Sequence, residues 1–172
     1  MPPSHQDLRR QLAKESPAPV YLVLGAGQWA RRQAVNLVRR AVVGDDPSPW
    51  AMSRGRAGEC DVGALLDGAM TLPMGGDRRL VMITAVENLK ATDLEPLADY
   101  AESPSVTSCL LLEGGKLPTN NAAARRLRKA AALVECPALR PYQIPRWLVD
   151  EISARGRKAG PGAAERFQEL LG

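Results

Sequence analysis

The sequence predicts an α/β fold built on a five-stranded parallel sheet. Two observations carry that reading. Short apolar runs at Val20–Leu24, Leu80–Ile83, Val106–Leu112 and Leu133–Cys136, with a weaker one at Pro49–Ser53, have the unbroken apolar character of strands buried on both faces. Stretches with helical apolar spacing lie between them, and strands that alternate with helices require crossover connections and hence parallel pairing.

In chain order, residues 1–18 hold a short polar helix from Gln6 to Lys14, ended by Pro17 and Pro19. After the first strand, Trp29–Val42 places Ala34, Val35, Val38, Ala41 and Val42 on one stripe, and Gly44 and Pro47 stop it. Trp50 is expected to anchor the second strand. Asp61 caps a helix that buries Val62, Leu65, Leu66, Ala69 and Met70. A loop, Thr71-Leu72-Pro73-Met74-Gly75-Gly76, leads to the third strand. Thr92-x-x-Glu95 has capping-box spacing and puts Pro96 in the first turn of the next helix, where it is tolerated. An Ala/Arg-rich helix, Asn121–Ala131, precedes strand five.

The pattern changes after Pro137. Ile144, Leu148, Val149 and Ile152 share a helical face, Gly156 and Gly160 break it, and Ala164, Phe167, Leu170 and Leu171 suggest a last helix after Pro161. Two helices without a strand mark a second, helical module. The division expected is an α/β domain over residues 1–138 and a partial helical one over 139–172.

Composition excludes several kinds of chemistry. Cys60, Cys109 and Cys136 have no metal-ligand spacing, and the single histidine, His5, lies in a Pro-containing N-terminal stretch. A Cys–His or Ser–His pair has almost nothing to draw on. No metal and no cofactor is expected. Aromatics make up 4% of the chain, so the core must be aliphatic. No apolar run approaches the about 18 residues that span a bilayer, and residues 1–15 lack the apolar centre of a secretory signal. The expected location is the cytoplasm.

The turn after strand one is the chemically suggestive segment. Against the phosphate-loop pattern G-x-x-x-x-G-K-[ST], Gly25 fits the first glycine, and Gly27 adds a second small residue nearby. Ala30 replaces the second glycine, Arg31 the lysine and Arg32 the magnesium-binding hydroxyl. Bulky Trp29 stands where the backbone would wrap a phosphate. Strand three runs into Thr84-Ala85-Val86, where an active NTPase would place an aspartate, and the first acid is Glu87. The segment reads either as a plain strand–helix turn or as a nucleotide site that has lost its chemistry. Both readings expect no nucleotide binding at Gly25, Gly27, Ala30, Arg31 and Arg32.

Four stretches in order, the first of them this one, carry a family resemblance. The chain resembles bacterial DNA polymerase III clamp-loader delta subunits along nearly its whole length. The likeness rests on Val20–Gly25 followed by Trp29, and on Thr71-Leu72-Pro73-Met74-Gly75-Gly76-Asp77-Arg78-Arg79-Leu80-Val81. It continues in Cys109–Glu113 with Lys116-Leu117 and the basic helix ending in Val134-Glu135-Cys136. Its last part is Leu139, then Pro145-Arg146-Trp147-Leu148 and the final helix. The resemblance implies an AAA+/RecA-like domain with a degenerate phosphate loop, followed by the start of a helical lid. It implies a non-catalytic subunit that binds the ring-shaped sliding clamp, the beta subunit, and helps open it, while ATP hydrolysis belongs to other subunits. The tau/gamma and delta prime subunits would be met through a C-terminal collar outside this sequence, and DNA only indirectly or weakly.

The resemblance also assigns the clamp contact to Leu72, Pro73, Met74 and Gly75. Family members usually present an aliphatic residue followed by phenylalanine. Met74 takes the aliphatic place, but Gly75 offers no side chain at the aromatic one. A divergent delta-like protein that has lost clamp opening is the alternative that Gly75 favours. A small P-loop kinase is opposed by Arg31, Arg32 and the missing strand-three aspartate. A DNA-binding face of Arg31, Arg32, Arg39 and Arg40 competes with a simpler account, the solvated side of an amphipathic helix.

Overall fold

A computed structural model describes residues 5–73, 76–154, 156–158, 160, 162, 163, 166 and 167. Residues 1–137 form one compact unit and residues 138–172 a second.

The first unit contains α1 (His5–Leu12), β1 (Val20–Leu24), α2 (Gln28–Val43), β2 (Met52–Arg56), α3 (Val62–Met70), β3 (Arg79–Thr84), α4 (Ala91–Glu102), β4 (Ser108–Gly114), α5 (Ala122–Ala130) and β5 (Ala132–Glu135). All strand pairs are parallel, in the order β2-β3-β4-β1-β5. The expected five-stranded parallel α/β sheet is therefore present.

Strand alternation divides the core into two layers. Val20, Leu22 and Leu24 of β1, Val81 and Ile83 of β3, and Leu110 and Leu112 of β4 pack with α3, α4 and α5. Tyr21, Val23, Leu80, Met82, Cys109 and Leu111 face the other way, onto Leu8 of α1 and Ala34 and Val38 of α2. Burial on both faces is why these strands read as unbroken apolar runs. Tyr21 fits because its phenol oxygen accepts the Ala18 amide at 2.9 Å. Edge strand β2 exposes Arg54 and Arg56, charges that discourage pairing with another chain.

The structure corrects several expectations. Trp50 does not anchor β2: it lies in a 3₁₀ turn, Pro49–Ala51, and is 69% exposed, while Ala51 takes the buried place. Met70 and Val106 are also exposed, because α3 ends and β4 has not yet begun at those positions. Ala41 faces solvent on α2. Helix α4 starts earlier than Thr92, because Asp93 Oδ2 accepts the Lys90 amide at 2.9 Å and so closes the first turn. Pro96 consequently falls inside the helix. The N–H it lacks would have bonded the Thr92 carbonyl, and both residues are exposed, so water can take that place. The expected cap at Asp61 forms as a single side-chain bond, from Ala64 N at 3.1 Å, and the structure adds another at Asn121, from Ala124 N at 3.0 Å.

Glu95, freed from capping, joins Asp99 and Glu102 on one stripe of α4. All three converge on Arg126 of α5, with contacts of 2.7, 2.6 and 2.7 Å.

In the second unit, a 3₁₀ turn, Pro141–Gln143, leads into α6 (Ile144–Ala154). The expected last helix rests largely on Ala164, Leu170 and Leu171, which lie outside the described residues, as does Pro161. Phe167 is described and is 38% exposed. Among the described residues, no helix is long and apolar enough to cross a membrane.

The Arg126 cluster gives a pH prediction. Its hydrogen bond holds the Glu102 carboxyl below the ordinary value of 4.5. A carboxylate depressed in the folded state stabilises above its unfolded pKa, and that contribution is lost as pH falls through the folded one. Thermal melts should show Arg126→Met less stable than the parent near neutral pH, with the gap closing below 4.5. Added salt should narrow the gap at neutral pH, because the cluster is exposed.

Candidate functional site

In an open parallel α/β sheet, ligands bind beyond the C-terminal strand ends where the strand order reverses. That point here is the end of β1, between β4 and β5. The connection from β1 to α2 passes through it and consists of Gly25, Ala26 and Gly27 only. Helix α2 already begins at Gln28, so Trp29, Ala30, Arg31 and Arg32 are helical. A phosphate loop needs Gln28 and Trp29 as wrapping backbone before its helix starts, with only its last positions in the first helical turn. The geometry of a wrapping loop is therefore missing, in addition to its side chains.

The short connection is closed by its neighbours. The Gly25 amide points at the carbonyls of Gly114 and Gly115, at 3.2 and 3.1 Å, and the Gly27 amide donates to the Cys136 carbonyl at 2.8 Å. Gly25 has a φ of +137°, and a Cβ there would collide with the Cys136 carbonyl. A Cβ on Gly27 would lie 2.9 Å from the same oxygen. Both glycines thus serve a close approach of backbone to backbone.

Arg31, at the lysine position, turns inward. Its Nη1 donates to the Gly25 carbonyl at 2.6 Å, and its Nε pairs with Glu113 at 2.7 Å, with both side chains less than one-fifth exposed. Its charge is thus compensated within the protein. Glu87 does not point freely into the crevice, because its carboxylate accepts the Gly115 amide at 2.8 Å. What remains open is a hollow of about 250 Å³ bordered by Gly115, Lys116, Arg128, Glu135 and Pro137. That lies below the range of roughly 300–1,000 Å³ usual for small-molecule pockets. Burial pushes the Cys136 thiol up to about 11 and the Cys109 thiol up to about 12, so neither presents a ready thiolate nucleophile.

The four arginines weighed for DNA do not form one solvated face. Arg31 is committed inward, Arg39 donates to the Gly44 carbonyl at 3.1 Å, Arg40 pairs with Asp45 at 3.0 Å, and Arg32 is exposed.

A second candidate surface lies at the other end of the sheet, where α3 connects to β3. Leu72 is 78% exposed and Pro73 is half-buried. Met74 and Gly75 lie outside the described residues. The base of this connection is tied down from both sides. Arg79 Nη1 donates to the Gly68 carbonyl and to Thr71 Oγ1, each at 2.6 Å. Arg78 donates to the carbonyls of Pro17 and Ser108, at 3.0 and 3.2 Å. Buried Ser108 donates its hydroxyl to the Ala69 carbonyl at 2.6 Å. Sequence reasoning marked the apolar loop but missed this base, whose partners lie up to 61 residues apart.

Fold and site together define a class: an α/β domain on a five-stranded parallel sheet whose turn after β1 is short and closed by its neighbours. Within that class, the chain belongs to the DNA polymerase III delta subunit family, whose model matches residues 21–137. It is 24% identical to the DNA polymerase III subunit delta of Bacillus subtilis over 96% of this chain and 50% of that protein. The structure of the Bacillus subtilis DNA clamp loader delta protein superposes with a TM-score of 0.79 at 23% identity, covering 94% of this chain and 51% of the other. A gamma subunit-related protein of DNA polymerase III from Thermotoga maritima superposes with a TM-score of 0.61 at 14% identity, over 97% of this chain and 58% of that one. The chain thus spans about half the length of the curated relative it matches.

The close approach at Gly25 can be tested against a control. Gly25→Ala should lower unfolding free energy by about 2 kcal/mol or more, because strain and a backbone clash coincide. Gly44→Ala, at a φ of +80° and a ψ of −172° with nothing within 4 Å of its Cβ, carries only the backbone strain of that glycine-favouring region, roughly 1–3 kcal/mol, without a clash on top of it. Urea melts of both variants should show that order.

Proposed function

We propose that this chain is the clamp-engaging part of a delta-type clamp-loader subunit. It would bind the sliding clamp at the connection Leu72, Pro73, Met74 and Gly75, help open it for loading on DNA, and perform no ATP hydrolysis of its own. The observation that carries the reading is Leu72, a large apolar side chain held out to solvent on a hydrogen-bonded base, in a chain of this family. A rigid base lowers the ordering cost of docking, so an exposed leucine there is suited to enter an apolar cleft. The closed switch point supports the non-catalytic half of the proposal. Other loader subunits would be met through sequence beyond this chain, in the cytoplasm.

Two measurements test it. Calorimetry with millimolar Mg-ATP should give no saturable heat. The variant carrying Ala30→Gly, Arg31→Lys and Arg32→Thr should also give none, because α2 begins at Gln28. Saturable magnesium-dependent binding by the parent would remove the non-catalytic reading. In surface plasmon resonance on immobilised clamp, Leu72→Ala and Met74→Ala should each weaken binding about tenfold, and Gly75→Phe should tighten it. Parent-like affinity in both alanine variants would mean that this connection is not the contact. Binding without opening would point to the divergent delta-like alternative.

A further inference from the structure

Among the described residues of the α/β unit, the large apolar side chains that stand well exposed are Trp50, Met70, Leu72 and Val106, at 69%, 64%, 78% and 87%. They gather on one rim. The strands are parallel, so their N-terminal ends share an edge of the sheet. Trp50 stands two residues before β2, in a turn that packs against β3. Val106 stands two residues before β4. Helix α3 delivers Met70 and Leu72 to the same edge, where its end is tied to the start of β4 by Ser108 and to the start of β3 by Arg79. The opposite rim, at the end of β1, has no such side chain among the described residues.

Scattered exposed apolar residues are ordinary on a soluble protein. Four from three successive connections on one edge are not scattered, and concentration of this kind marks an interaction surface. We propose that Trp50 and Val106 extend the surface on which Leu72 docks, so that the sliding clamp is gripped across the whole N-terminal rim of β2, β3 and β4. Trp50 is its aromatic anchor. This inference rests on the reading of the Leu72 connection as the clamp contact.

Geometry selects the same partner for all four residues. In the order β2-β3-β4, the α3–β3 connection lies between the starts of the other two strands. Neighbouring strands are about 4.8 Å apart, whereas a standard interface covers roughly 800 Å² on each partner, or about 30 Å across. A partner that covers Leu72 therefore covers its flanks. Tryptophan is also among the residues that most often dominate such interfaces.

The test is plasmon resonance of the full chain on immobilised clamp. Trp50→Ala should weaken binding at least tenfold, Trp50→Phe should keep most of the affinity, and Val106→Arg should weaken it several-fold. Melting temperatures should stay near the parent's, because these side chains are exposed. If Leu72→Ala weakens binding while Trp50→Ala and Val106→Arg match the parent, the inference is overturned and the loop reading stands. If the parent itself does not bind the clamp, both fall. Should Trp50→Ala prove unstable, Val106→Arg decides alone, and unchanged affinity counts against the wider surface.

Discussion

Strand β1 is held on both sides and on both faces, and the rest of the structure follows from that. It pairs with β4 from Val20↔Leu110 to Leu24↔Gly114 and with β5 from Tyr21↔Ala132 to Leu24↔Glu135. Its five residues are buried, Val20, Leu22 and Leu24 toward α3, α4 and α5, Tyr21 and Val23 toward α1 and α2. A strand so constrained brings three chain segments to one point: Gly25 after β1, Gly114 and Gly115 at the end of β4, and Cys136 after β5. The glycines follow from that crowding. Gly114 is pressed by Val86 and Glu87 as Gly25 is by Cys136.

The same crowding sets what the switch point can do. Anion-binding loops work because backbone amides converge on empty space. Here the Gly25 and Gly27 amides meet carbonyls, and Arg31 closes on Glu113 and the Gly25 carbonyl instead of on a ligand. A partly buried arginine needs such compensation, since an unpaired charge in that setting is costly. The amides and the guanidinium at the C-terminal end of the sheet are thus committed to internal cohesion. At the N-terminal end, apolar side chains face water on firmly tied connections. The sheet therefore has one end closed on itself and one end with apolar side chains exposed.

The tie at the N-terminal end depends on arginines that a sequence reader would place on the surface. Arg78 and Arg79 spend their guanidinium groups on the carbonyls of Pro17, Gly68 and Ser108. Carbonyls at a helix end and a strand start have no partner within their own element. The two arginines supply those partners and join the N-terminal segment, α3 and β4 into one platform.

Residue order alone determined the α/β class, the existence of all five strands, the cap at Asp61 and the departure of Ala30, Arg31 and Arg32 from the phosphate-loop pattern. Those properties are local: a buried strand shows its apolar run, a cap shows its Asx residue, and a missing hydroxyl is visible as a letter. Strand order, the inward turn of Arg31 onto a glutamate 82 positions away, and the collision that requires Gly25 were decided only in three dimensions. Each depends on which strands become neighbours, and that is settled by packing of the whole sheet. Trp50 shows the same division. Its apolar character suggested a buried anchor, yet the cap at Ser48 started a 3₁₀ turn that buried Ala51 and left the indole in water. Periodicity tells which residues prefer burial; only the tertiary structure decides which of them find a surface to be buried against.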